Sequence, residues 1–411
     1  MSPYCVGNHR EGEVADLEGT LQMSRKDCRK MQVLSRVKDG LITVVEAAKL
    51  LKLSYRQTKR LWKRYRNGGA KAILHRARGR SSNNHLDPEL KTRVVDLYRE
   101  KYLGFGPTLA VEKLTEEDQL PVISRETLRL WLLEAGLWQR HRRHRPYRKR
   151  REPRHCFGEL VQLDGSHHPW FGDERGFSCL MNMVDDATGT TLAIMFEEET
   201  TEAAMRVLWA WIEKYGVPLA LYCDLKSVYL SGREPTVEEQ LAGVTPKTAF
   251  GRACEKLGIQ IISAYSPQAK GRVERNHGVY QDRFVKELRL RGATTIAEAN
   301  MILKGGFTDK LNAKFSRPPL DVEDRHVALG GTEDLREVFC FEETRSVGHD
   351  WVVRNDNRFY QLSRGREGMP RAGSKVTLRI WLDGSVHILH KGRRLPFKEL
   401  DAQVQMRRKV G

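Results

Sequence analysis

The chain has 411 residues, 71 Lys+Arg against 53 Asp+Glu, and a formal charge of +18. That length allows two to four domains with sizeable cores, and the charge points to a polyanionic partner, above all double-stranded DNA. The seven cysteines form no C-x-x-C pair and no apolar run nears the roughly 18 residues of a membrane span; this excludes a disulfide scaffold, a Cys-built zinc cage and a membrane partner, and fits free thiols in the cytoplasm.

Residues 1–23 lack periodicity and read as a disordered leader. Residues 24–74 read as three short helices. Thr43 and Glu46 make a capping box for the second; Ser54 opens the third, SYRQTKRLWKRYRNGG, and Gly68-Gly69 closes it. Val45, Ala48, Leu51, Leu53, Thr58, Leu61 and Trp62 form the inward set. Arg56, Gln57, Lys59, Arg60, Lys63 and Arg64 stay outward, as in a helix-turn-helix with a basic reading helix. Residues 86–137 give a second helical trio with Ser124 opening its last member, a second helix-turn-helix pattern. Residues 138–155 then carry nine Arg or Lys, Arg142, Arg143 and Arg145 among them. Such a run repels itself until phosphates neutralise it, so it reads as a DNA-tracking arm.

From residue 156 to 320 the texture changes to short β-branched runs and helices in the order β-β-β-α-β-α-β-α, a mixed sheet with helices on its faces. Asp164 follows an apolar run in LVQLDGS, Asp224 ends LALYCD, and Glu274 opens the helix after the fifth strand. Acids at strand ends converge when their strands are neighbours, and hard divalent cations take oxygen ligands. Two such ions suit an in-line displacement at phosphorus. Lys270, Arg272 and Arg275 surround Glu274 and suit DNA phosphates. Asp185-Asp186 before Ala-Thr-Gly reads as a hairpin turn. His167-His168 has no partner at zinc spacing. Residues 340–404 alternate as strands, with Asp383-Gly384 as a hairpin turn.

The segments LVQLDGS, MVDDATG, LYCDLKSVY and above all SPQAKGRVERNHG resemble the catalytic core of DDE transposases and retroviral integrases. The order of parts is similar to bacterial insertion-sequence transposases of the ISNCY group. The resemblance implies an RNase H-like core and a metal triad of Asp164, Asp224 and Glu274 that holds two Mg²⁺ or Mn²⁺ ions. It further implies helix-turn-helix modules in front and a small β-barrel behind. The implied activity is binding of terminal repeats, cleavage to a 3′-OH and joining to target DNA, by at least a dimer on paired ends. A nuclease without strand transfer, and a DNA-binding regulator with an inactive core, are the alternatives. Two features depart from integrases: Leu225-Lys226-Ser227 stands where Asn-Gly is usual, and 49 residues separate Asp224 from Glu274, with 231–248 reading as an insertion.

Overall fold

The computed structural model describes residues 23–74, 86–139, 151–241, 243, 245–263, 270–330, 334–364 and 369–400. Arg142, Arg143 and Arg145 lie outside the described residues, as do the leader before Met23 and most of the basic arm. The chain divides into two compact units, Met1–Val94 and Val95–Gly411.

The first unit holds α1 (Arg25–Lys38), α2 (Val44–Leu51) and α3 (Tyr55–Gly68). The predicted capping box of Thr43 with Glu46 forms, and Ser54, expected to open α3, makes a second one with Gln57. Each satisfies backbone N–H groups that a helix start leaves without partners. Gly69 ends α3 with φ of +60°, a region that favours glycine. Leu34, Leu61 and Ile73 form the core, with Met31, Leu51, Leu53, Trp62 and Tyr65 against it. Val45, expected inside, is instead exposed, and Ala47 is buried with Ala48. Two residues along a helix turn the side chain about 200°, so Val45 cannot share the stripe that Ala47, Ala48 and Leu51 form.

In the second unit a five-stranded sheet runs in the order β3-β2-β1-β4-β5. Its strands are β1 (Val161–His168), β2 (Ser178–Asp185), β3 (Thr191–Phe196), β4 (Ala220–Cys223) and β5 (Gln260–Ser263). The first three pair antiparallel; β1–β4 and β4–β5 pair parallel. That is the RNase H-like arrangement. Its helices are α7 (Thr201–Tyr215), α8 (Val237–Leu241), α9 (Ala249–Lys256), α10 (Gly271–Leu290), α11 (Ile296–Ile302) and α12 (Thr308–Phe315). Alternation along the strands serves both faces. Cys179, Met181 and Met183 of β2 pack with Leu208 and Trp211 of α7, whereas Leu180 packs with Tyr280 and Phe284 of α10. Every residue of β2 is buried, as expected of a strand covered on both sides.

The helical trio ahead of the sheet is α4 (Pro88–Lys101), which crosses the unit boundary, α5 (Pro107–Glu116) and α6 (Arg125–Glu134). Ser124 caps α6 as predicted. Helix α5 is ion-paired to α10. Lys113 Nζ lies 2.6 Å from Glu287, with both side chains buried, and Arg283 lies 2.7 Å from Glu112. The carboxy-terminal strands are antiparallel as expected, but the closed barrel is not formed among the described residues. A helical turn, α13 (Leu335–Val338), precedes β6 (Cys340–Ser346), β7 (Val352–Asn355), β8 (Arg358–Leu362), β9 (Lys375–Trp381), β10 (Val386–His390), β11 (Arg393–Leu395) and β12 (Phe397–Leu400). They make two sheets, β11-β10-β9-β6 and β12-β8-β7, around a shared core of Val347, Val353, Tyr360, Val376 and Leu378. Pro396, which has no N–H to donate, separates β11 from β12 where the chain changes sheet.

Candidate active site

Period two along β1 sends Val161 and Leu163 into the α7-side core, and Gln162, Asp164 and Ser166 toward α10. Strand β4 pairs parallel with β1 at Val161↔Leu221 and Gln162↔Tyr222. Continuing that register by two residues brings Asp224, just past the end of β4, level with Asp164. Lys270, at the amino-terminal cap of α10, reaches between them. Its Nζ is 2.9 Å from Asp164 Oδ1 and 3.4 Å from Asp224 Oδ2. The two aspartates thus share one cation, with the Lys270 side chain 8% exposed, Asp164 14% and Asp224 40%.

Helix α10 is fixed to the sheet by polar contacts that its sequence spacing aligns. The Val273 N–H donates to Gln162 Oε1 at 3.1 Å, Asn182 Nδ2 to Asn276 Oδ1 at 2.7 Å, and Gln281 Nε2 to Ser166 Oγ at 3.1 Å. Gln162 Nε2 in turn donates to Asp186 at 2.7 Å. His277 is buried on the same helix. Burial holds its imidazole below the ordinary pKa against the opposing pull of Asp164, and among the described residues its Nε2 has no hydrogen-bond partner. Glu274 is exposed on the first turn of α10, four residues beyond Lys270. It does not close a compact three-acid group with Asp164 and Asp224. Among the described residues, ligand atoms come within 4.8 Å of one another in two groups, His167–Cys179–Glu199 and Cys156–Asp321–Glu323. In the first, burial, then the nearby Glu199 carboxylate, pushes the Cys179 thiol up to about 12.

Of the cations expected beside Glu274, Lys270 is turned inward and Arg272 pairs with buried Asp186 at 3.0 Å. Burial, more than any charge, lowers the Arg272 pKa. Arg275 is exposed and has no ion pair among the described residues. Asp186 also accepts from Arg151 and from the Arg154 N–H at 2.8 Å, and Asp185 accepts from the Thr188 and Gly158 N–H groups. The turn therefore fastens both the end of the arm and the start of α10. On α3, Arg56, Lys59, Arg60 and Lys63 are exposed and Arg64 is half-buried; none has an ion pair among the described residues. Gln57 is partly committed, since its Oε1 accepts the Ser54 N–H at 3.2 Å.

One acid near the site has no counterpart in the sequence reading. The Glu199 side chain, just after β3, is 4% exposed and accepts from Lys226 Nζ at 2.6 Å and from Tyr229 Oη at 2.9 Å. Lys226 and Tyr229 lie two and five residues past Asp224, so Glu199 holds the loop that carries it. It also presses on the residue after Asp164: a Cβ at Gly165 would stand 2.5 Å from Glu199 Oε2. A glycine inside a strand is the one local sign of such a close approach.

Residues 30–91 match the family model described as winged helix-turn helix. Across nearly the whole chain, 39% identity over 386 residues relates it to "Putative transposase y4bF" of Sinorhizobium fredii, covering 93% of this chain and 83% of that one. It is 30% identical over 402 residues to the transposase for insertion sequence IS1202 of Streptococcus pneumoniae, covering 88% and 84% respectively. Among solved structures, the HTLV-2 integrase catalytic core is similar at 19% identity and a TM-score of 0.28, over 37% of this chain and 86% of that one. With its relatives aligned over most of both chains, this protein belongs to the transposase family.

Proposed function

We propose that this transposase cleaves the phosphodiester at the ends of its element to expose a 3′-OH and joins that 3′-OH to target DNA at a site built from Asp164, Asp224 and Glu274. The observation that carries the reading is the shared cation: two carboxylates on neighbouring parallel strands converge on the Lys270 ammonium. An all-oxygen pair that already holds a positive charge suits Mg²⁺ or Mn²⁺, two ions per site, with Glu274 supplied from the first turn of α10. Such ions, when bound, activate the attacking oxygen and stabilise the leaving one. The protein's own part is placement. The strand pairing fixes Asp164 beside Asp224, the Glu199–Lys226 contact steadies the Asp224 loop, and the Gln162, Asn182 and Ser166 contacts set the angle of α10 and hence of Glu274. Arg275 and the cations of α3, which have no ion pair among the described residues, would meet phosphates, with the arm's Arg142, Arg143 and Arg145 as further contacts. Element ends and target DNA are the substrates, and at least a dimer holds paired ends.

The test is a labelled element end with a supercoiled target. Asp164→Asn, Asp224→Asn and Glu274→Gln are each expected to abolish cleavage and joining while end binding stays within about twofold. Near wild-type joining by any one of them removes that residue from the set. Cleavage without joined product from the wild type indicates a nuclease, and binding alone indicates a regulator.

A further inference from the structure

We infer that Lys270 is a built-in cation of the metal-free site, and that a divalent ion enters by displacing it, so that metal loading and release of the Lys270 ammonium are one exchange. The inference rests on the reading of Asp164 and Asp224 as metal ligands and adds the residue that competes with the metal. Three features of Lys270 lead to it. Its side chain is 8% exposed, which is rare for an unpaired lysine. It occupies the amino-terminal cap of α10 and makes no side-chain cap bond there, and the partial positive charge of a helix start disfavours a cation. Both costs are met by the two aspartates, which without an ammonium between them would face each other as like charges. Lys226, the other cation at the Asp224 loop, is engaged by Glu199 instead.

A divalent ion in the same place reverses the balance. It neutralises the aspartates with twice the charge, and Lys270 becomes a repelled neighbour. The released ammonium remains on the first residue before α10, beside the acids. There it can contact a DNA phosphate, the role its sequence context suggests, but only after metal has entered. Buried counter-ion without metal and phosphate contact with it are two positions of one side chain.

Two measurements on the full chain without DNA test this. In the first, amine acylation followed by mass spectrometry compares the wild type in EDTA with the wild type in Mn²⁺. Lys270 is expected to be protected in EDTA and to label at least about fivefold faster in Mn²⁺, the size of an ordinary coupling between two bound groups. Equal labelling in both conditions overturns the exchange. In the second, Mn²⁺ binding is read from the paramagnetic resonance signal of the free ion. Lys270→Met is expected to bind Mn²⁺ at least about fivefold more tightly than wild type. Its melting temperature is expected to fall in EDTA and to recover with Mn²⁺. Lys270→Arg, which keeps the charge, is expected to lack the gain in affinity. An unchanged Mn²⁺ affinity in Lys270→Met also overturns the exchange. If Mn²⁺ binding is instead indifferent to Asp164→Asn and Asp224→Asn, the metal reading of the acids itself has failed.

Discussion

Gly165→Ala is the smallest change that should disturb the candidate site. The added Cβ would lie 2.5 Å from Glu199 Oε2 and 2.9 Å from both Glu199 Cδ and Cys179 Sγ. Contacts between uncharged heavy atoms settle near about 3.5–4.0 Å, so something must move. Glu199 cannot swing aside freely, because Lys226 Nζ and Tyr229 Oη hold its two oxygens. Cys179 is fully buried in β2, opposite His167 in the β1 register. Overpacking of this kind costs about 1–3 kcal/mol, and each kcal/mol lowers the melting temperature by about 2–4 °C in a domain of some 200 residues. The strain falls on the backbone next to Asp164, so joining should drop more than stability alone explains, with end binding retained. A double-mutant cycle gives the decisive reading. Glu199→Ala removes the closest of the colliding atoms and leaves only Cys179 Sγ at 2.9 Å, so adding Gly165→Ala to it should cost much less than it does in the wild type. Denaturant midpoints for the four proteins should therefore show a coupling of about 1–3 kcal/mol. Additivity within about 0.5 kcal/mol would refute the proposed contact between Glu199 and the Asp164 strand.

Four further outcomes are expected. Arg56→Ala should relax sequence preference at element ends by about 1–3 kcal/mol per lost base contact, whereas Lys63→Ala should weaken binding to all sequences alike; identical footprints and salt slopes for the two variants would contradict the split. Gln57→Ala should also lower the stability of the amino-terminal unit by about 0.5–1 kcal/mol, since it removes half of a capping box. Burial raises the Glu287 pKa, but hydrogen bonds from Lys113 and Arg291 outweigh it and leave the carboxyl below its ordinary 4.5. Its stabilising contribution is therefore complete above about pH 4.5 and lost as pH falls through the depressed value. Melts of Glu287→Gln should be less stable than wild type at pH 7 and converge with it in acid; parallel curves would count against the ion pair. In assembly, at least two protein chains should accompany each joined product by light scattering.

Local chemistry carried much of this structure in the sequence. Helix caps, glycine stops and the apolar run of LVQLDGS depend on neighbours within a few residues, and they led directly to α2, α3, α6 and the strand β1 that bears Asp164. What the sequence hid is whatever spans the fold. Asp186 reads locally as a turn residue and does lie in one, yet its charge is met by Arg272, 86 residues away, and Gln162, 24 residues away. The Lys113–Glu287 pair joins residues 174 apart. The separate sheets of the carboxy-terminal module depend on β6, β11 and β12, and β11 and β12 are too short for period two to announce. Lys270 shows the consequence for function. As a sequence neighbour of Arg272 and Arg275 it belongs to a phosphate-binding cluster, but strand order brings β1 beside β4, and that adjacency places two acids within its reach. Charge in a linear motif therefore drew attention to the segment that carries Lys270 and Glu274 as a candidate site for phosphate and metal. Which cation faces which anion in the resting state was decided by the crossover from β1 to β4, a long-range fact that no window of the sequence contains.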